Sequence, residues 1–326
     1  YIVQLEQELN TGDCAVHPRQ FMNGQVIAGS IEDRFYAERS LNVKEALKQW
    51  MKTGISASSL NNIMERPHVF YQEKIIGIYQ EDEVEESMSA MVMGNLVHYG
   101  LEDLYQPFLG KSIPEFDVHE WTTRGLAAGV KRLIKEGTSA SSLNQGRNLV
   151  TLEVCEKMLN QFLSFDANRV KTGQVILKGI EEKLEYHMEH PVLDIPIRFV
   201  GVVDRIELHQ GVLKIWDYKT GSLKSDSLSL GSLEDIWLGK KPKALQCLFY
   251  AWLLWKSDTF QHPFPWNLGM FKLQSAGPEM SLKGKAFSTS EVVESDLELF
   301  EEQLLEFLVL QVNTDDPFVE PPPKSY

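Results

Sequence analysis

The chain is poor in cysteine: Cys14, Cys155 and Cys247 are its three, in 326 residues. They are far apart and have no metal-site spacing, which argues against a disulfide framework and suits a reducing compartment. No apolar run approaches the roughly 20 residues that cross a bilayer. The N-terminus also lacks a basic stretch followed by an apolar core, so neither a membrane helix nor a signal peptide is expected, and a cytoplasmic location is. No Gly-x-x-x-x-Gly-Lys-Ser/Thr occurs, so ATP-driven unwinding would need another domain or subunit. Basic residues are outnumbered: 32 Lys and Arg face 46 Asp and Glu, a net charge of −14. That balance is the wrong sign for a partner made of phosphates.

The distribution of charge matters more than its sum. Acidic residues gather at Glu81-Asp-Glu83 with Glu85-Glu86, and from Glu291 to Glu306, as solvated helix faces or loops. Between Arg198 and Tyr250 eight Lys and Arg meet six Asp and Glu, so this stretch is slightly basic. Lys240, Lys241 and Lys243 stand just before a helical run, where phosphate groups meet helix N-termini.

Residues 1 to 30 show no clear period and are taken as a linker or the end of a preceding domain. Ile31 to Met51 has the spacing of an amphipathic helix that stops at Thr53-Gly54. Ser56 or Ser58 caps a second helix, which Pro67 limits. Ser89–Tyr105, Thr122–Glu136 and Leu149–Asp166 follow as helices. After residue 170 the pattern changes to strands at Gln174–Ile180, Glu182–Met188, Ile197–Leu208, Val212–Lys219 and Asn267–Gln274, with helices at Lys243–Lys256 and Ser290–Val312. The expected architecture is α/β: a central mixed β-sheet flanked by helices on both faces, preceded by a helical region. The expected division is a linker and helix over 1–54, then one domain over 55–326, helical to 170 and α/β from 171.

Chemistry concentrates in Gly201-Val-Val-Asp204-Arg-Ile-Glu207 and Ile215-Trp-Asp217-Tyr-Lys219-Thr-Gly221. Two β-branched runs around His209-Gln210-Gly211 make a hairpin, with Asp204 in the first strand and Asp217 near the end of the second. The strand period of two puts Asp217 and Lys219 on one face and Tyr218 on the other. Acidic side chains in an apolar segment are costly unless paired or bound to a cation, and a divalent metal satisfies both. The plain alternative is an Asp217–Lys219 ion pair on an edge strand. Gln246 and Tyr250 share a helix face at i, i+4, and Gly94-x-x-x-His98 sets a histidine in another helix.

Gly94-x-x-x-His98, Gly201-x-x-Asp204-Arg-Ile, Asp217-Tyr-Lys219-Thr-Gly221 and Gln246-x-x-x-Tyr250, in that order, resemble the PD-(D/E)xK nuclease superfamily. Within it they resemble the RecB-like domains, including the nuclease of AddB-type helicase-nucleases. The resemblance spans residues 55 to 310. It implies a restriction-endonuclease-like core and a metal-dependent DNA nuclease, an exonuclease, acting as the nuclease module of a repair or recombination helicase-nuclease. Its implied partners are DNA and a helicase domain or subunit. Asp204 and Asp217 would hold Mg²⁺ or Mn²⁺ with the Tyr218 carbonyl and His98, while Lys219 orients or helps deprotonate the attacking water and stabilises the pentacovalent state. Glu182 matches an acidic position often found in such proteins, but Glu181 is adjacent and either of the two could be the inward one. Gln246, Tyr250, Lys241 and Lys243 would support the site or meet DNA, and Arg205 and Glu207 would form structural pairs. Many AddB-type relatives carry an iron-sulphur cluster. Here Arg66-Pro67 stands where they place a cysteine, so no cluster is expected. The rival reading is a catalytically silent scaffold of the same fold that binds DNA or a partner.

Overall fold

A computed structural model describes residues 35–79, 88–143, 145–257, 260–287 and 291–321. The expected N-terminal linker, Cys14, the acidic run at Glu81–Glu86 and the last five residues lie outside these. A helix begins only at Leu41, because Ser40 caps it by accepting the Val43 N–H. Of the expected helix before it, residues 31–34 lie outside the described ones and residues 35–40 are not helical, with Tyr36–Ala37 forming β1. Helix α1 (Leu41–Thr53) stops at Gly54, whose φ of 136° few other residues adopt. In α2 (Ala57–Glu65) Ser56 and Ser59 cap reciprocally, each side chain accepting the other's backbone N–H. Pro67 ends α2 and opens a further short turn of helix.

Three longer helices follow: α3 (Ala90–Tyr105), capped by Ser89; α4 (Val118–Lys135), capped by Asp117; and α5 (Arg147–Thr172). Gly129 and Gly100 let α3 and α4 meet backbone to backbone. A Cβ on Gly129 would stand 2.3 Å from the Leu96 carbonyl, and one on Gly100 2.5 Å from that of Gly125.

The sheet has five strands in the order β2 (Val175–His190), β3 (Ile195–His209), β4 (Val212–Lys219), β5 (Trp266–Lys272), β6 (Glu279–Ser281). β4 and β5 run parallel and the other neighbours antiparallel, so the sheet is mixed. The β3–β4 hairpin turns on Gln210 (φ 53°) and Gly211 (φ 80°), two successive left-handed residues that match strand twist. The two strands expected at 174–180 and 182–188 are one. Its ladder shifts between Leu177 and Gly179, and Glu181 takes a left-handed φ of 45°, so the alternation breaks in sequence while the strand continues.

Each face of the sheet carries its own core. Helices α1, α2, α6 (Pro242–Lys256) and α7 (Glu294–Asn313) cover one face with Leu213 and Ile215 of β4, while α3, α4 and α5 cover the other with Trp216 and Tyr218. The division expected between residues 54 and 55 falls between α1 and α2, both of which feed the first of these cores. Leu297, Phe300, Leu304 and Leu308 of α7 are buried as their spacing predicts, but Leu305 is only half-buried and Leu310 is 58% exposed. The 3.6-residue period carries Leu310 round to the solvent. Glu294, Glu298, Glu302 and Glu306 form the exposed stripe. β1 pairs with β7 (Phe318–Val319), and Arg39 lies 4.0 Å from the Phe318 ring centre.

Candidate active site

The β3–β4 ladder runs from His209–Val212 to Arg205–Trp216 and stops. One further step sets Asp204 opposite Asp217. In place of another ladder bond, Asp204 Oδ2 accepts the Tyr218 N–H at 2.6 Å. β4 keeps its parallel pairing with β5 as far as Lys219–Lys272, and β3 keeps β2, so the sheet forks here. On the other side Ile180–Arg205 and Glu182–Val203 bracket Glu181 opposite Asp204. Three adjacent strands thus bring an acidic residue to the same level.

Helix α3 lies over this point, with Gly94 close to Thr220. His98 Nδ1 is 3.1 Å from Glu181 Oε1 and 3.6 Å from Asp204 Oδ1, and its Nε2 is 3.3 Å from the Tyr218 carbonyl. The ligand-type atoms of His98, Glu181 and Asp204 all fall within 4.8 Å of one another. Of the two adjacent glutamates it is Glu181, not the expected Glu182, whose carboxylate joins this cluster. The left-handed backbone at Glu181 makes the difference, because it breaks the alternation that would select a side from sequence.

The other carboxylate faces α6. Lys219 Nζ lies 2.7 Å from Asp217 Oδ2, and Gln246 Nε2 donates to Asp217 Oδ1 at 2.8 Å and to the Tyr250 hydroxyl at 3.0 Å. Gln246 and Tyr250 share one face of α6, and from it Gln246 holds Asp217. Gly201 allows this helix to approach: a Cβ there would stand 3.2 Å from the Tyr250 ring. Lys241 donates instead to the Asp226 carbonyl at 2.8 Å, whereas Lys243 points its region of α6 into a cleft beside Lys219.

Charge is crowded. Burial raises Asp204, and the nearby Asp217 raises it further, to about 8. Burial pulls His98 down, but Asp204 and Glu181 outweigh it and lift the imidazole to about 9. Burial lowers Lys219 and Asp217 more than restores it, leaving the ammonium favoured. Lys243 is lowered, by burial first and then by Lys219. An imidazole, two carboxylates and a backbone carbonyl packed this closely, with a third carboxylate behind, form a donor set of the kind that a hard divalent cation takes.

Behind the fork sits a buried quartet. Arg205 Nε donates to Glu207 at 2.6 Å and its Nη2 to Asp166 at 3.1 Å. Arg169 bonds Asp166 at 2.8 Å and also Glu207. Tyr105 and Trp216 add donors to Asp166 and Glu207. Arg205 and Glu207 are thus paired inside the fold. Asp166 and Arg169, i and i+3 on α5, look in sequence like an ordinary surface pair. Their burial was not legible.

A cavity of about 870 Å³ opens on the Lys219 side, between α2, α6 and the β2–β3 strands. Lys183, Arg198, Lys243 and Tyr250 are in its wall.

The sequence profile of the PD-(D/E)XK nuclease superfamily matches residues 54–321. The chain belongs to that superfamily. Its fold is the restriction-endonuclease-like one. Uncharacterized proteins of Rickettsia conorii and Rickettsia felis are similar to this PD-(D/E)XK chain: 24% identical over 194 residues and 25% over 192, in both cases 59% of the chain. A Rickettsia typhi protein, also uncharacterized, is 24% identical over 170 residues. The chain spans about a fifth of these relatives' own length, 21%, 20% and 18% in turn. Among the described residues no helix is long and apolar enough to cross a membrane.

Proposed function

We propose that this PD-(D/E)XK chain is a metal-dependent deoxyribonuclease of the RecB-like, AddB-type kind. It hydrolyses phosphodiester bonds from DNA ends as the nuclease module of a repair or recombination helicase-nuclease. The observation that carries the reading is the fork, which sets Asp204 and Asp217 opposite each other with Glu181 and His98 on one side and Lys219 on the other. A silent scaffold has no physical use for this much like charge held apart from solvent.

His98, Glu181, Asp204 and Asp217, with the Tyr218 carbonyl, would hold Mg²⁺ or Mn²⁺. When bound, the ion supplies Lewis acidity and a water of lowered pKa. Asp204 is fixed by the Tyr218 N–H, and Asp217 by Gln246, so neither carboxylate needs to reorganise during the reaction. Lys219 keeps its proton beside Asp217. From there it orients the attacking water or helps to deprotonate it, and stabilises the charge that grows on the phosphoryl oxygens. Water oxygen forms the new bond to phosphorus and gives up a proton, the ester P–O bond breaks, and the leaving oxygen takes up a proton in its place, so none is gained or lost overall.

The test is digestion of end-labelled linear DNA beside closed circular DNA, in Mg²⁺, Mn²⁺ or EDTA. Loss of linear DNA from its ends, with circles spared and no reaction in EDTA, is expected. No cleavage of either form, together with no heat on Mn²⁺ titration, would establish the scaffold instead.

A further inference from the structure

Strand β2 ends the sheet on its side, and its outer edge is covered only in part. At the start of the strand residues 110–113 close that edge: the Ile113 N–H donates to the Val175 carbonyl, and the Leu177 N–H to that of Lys111. Further along, the edge is open. Among the described residues no backbone group outside β3 bonds β2 between Lys183 and Glu189. The open groups belong to alternate residues. The Ile55 N–H donates to the Arg198 carbonyl and the Val200 N–H to that of Ile55, so Arg198 and Val200 turn their main chain away from β2. Their partners across the ladder, His187 and Glu185, therefore point their own N–H and C=O outwards.

An open edge is a template for another strand, and its side chains decide which strand it accepts. From Glu182 to His190 the chain reads Glu-Lys-Leu-Glu-Tyr-His-Met-Glu-His. Laid antiparallel on a second copy about Tyr186, this segment is complementary to itself. Lys183 meets Glu189, Glu185 meets His187, Glu182 meets His190, and Leu184 meets Met188, each pair occurring twice. Other registers lose the match. A slide of two residues one way sets Glu185 against Glu189, and the other way sets Glu185 against its own copy, and like charges directly opposite repel. The hydrogen bonds agree with the side chains, because in the complementary register the outward groups of Glu185 meet the outward groups of His187. Within one protomer Glu185 is already engaged by Arg198 and His187. Lys183 and Glu189 are exposed and have no ion-pair partner among the described residues, so they are free to choose one.

We propose that the edge of β2 is a docking surface for β2 of a second copy of this chain, paired antiparallel on a two-fold axis at Tyr186. Two five-stranded sheets then become one. Ten residue steps of about 3.3 Å separate Glu181 from its copy, which sets the two forks about 33 Å apart. A single strand pair is a small interface of the weak, reversible class, so the dimer depends on concentration.

Sedimentation velocity from about 2 to 200 µM tests this on the 326-residue chain, which should pass from monomer to dimer within that range. Glu189→Lys and Lys183→Glu each put like charges opposite at both ends of the pair, and each should weaken dimerisation at least tenfold. The double variant Lys183→Glu/Glu189→Lys restores opposite charges and should return to within about threefold of wild type. Circular dichroism shows whether the variants are folded. Amide exchange needs no variant: the Glu185 and His187 N–H groups of wild type should exchange more slowly as the protein is concentrated. A monomer throughout the range, a dimer indifferent to both single reversals, a double variant as weak as the single ones, or exchange independent of concentration would each overturn the pairing.

Discussion

Arg205 and Trp216 are the last residues paired across the β3–β4 hairpin, and the fork opens one residue beyond them. Both are anchored from behind: Arg205 by Asp166 and Glu207, and Trp216 by its indole N–H to Glu207 at 2.9 Å. The strands are thus locked together up to this pair. Past it, the Asp204 side chain takes the Tyr218 N–H that a continuing strand would have used. The two carboxylates are held level but not in a ladder, which leaves room for what lies between them.

Asp217→Ala and Lys219→Ala should each reduce DNA cleavage by roughly a thousandfold or more, since loss of one metal ligand or charge donor removes several kcal/mol of transition-state stabilisation. Initial rates on end-labelled DNA in Mn²⁺ measure this, with far-ultraviolet circular dichroism to show an unchanged fold. A rate for Asp217→Ala near that of wild type would falsify the site assignment.

Arg205→Met should be severely destabilising. It leaves Asp166 and Glu207 sharing one guanidinium in a place where Arg205 is fully enclosed. Breaking such a buried pair costs about 3–5 kcal/mol. The shift in urea midpoint at pH 7 reads this out, and a change below about 1 kcal/mol would mean that the quartet is not what holds the fork.

Acid should weaken the fold partly through Glu207. Burial would raise its carboxyl, but Arg205 and Arg169 outweigh that and hold it near 2, against 4.5 for a free glutamate. A folded-state value below the unfolded one contributes stability above pH 4.5, lost as the pH falls from there towards 2. Denaturation of wild type and Glu207→Gln at pH 6, 4.5 and 3 should show the smaller pH dependence in the variant. Parallel curves would remove Glu207 from the account.

Gly129→Ala should lower stability by about 1–3 kcal/mol, because the new methyl meets the Leu96 carbonyl and the two helices must part. Thermal melting should register a drop of a few degrees. Ala at Gly137, where an added Cβ meets nothing, separates crowding from backbone strain: its φ of 106° makes it the strain control.

Much of this was written in the chain. Period-two alternation in Val212–Lys219 placed β4 to the residue, and of the two serines that could cap α2, Ser56 and Ser58, the structure uses Ser56. Asp204, Asp217, Lys219, Gln246 and Tyr250 stood out by spacing, and the structure brings them together. Glu181 could not be told from Glu182, because its left-handed backbone interrupts the strand alternation that would have chosen between them. The quartet was half visible: Arg205 and Glu207 share a strand face, but Asp166 and Arg169 reach them from a helix some forty residues earlier, and only tertiary packing joins the two. Lys183 and Arg198 gained meaning in the same way, from the cavity they share.

The pairing of β1 with β7 has a consequence for engineering. Tyr36 faces Val319 across a hydrogen-bonded ladder, so the chain enters and leaves this unit at one spot. A circular permutant could join those ends with a short linker and open instead at the β2–β3 turn, where Val192 is 66% exposed. Neither the fork nor the cavity would be cut. The same geometry lets another protein carry the unit as an insertion, with both junctions side by side.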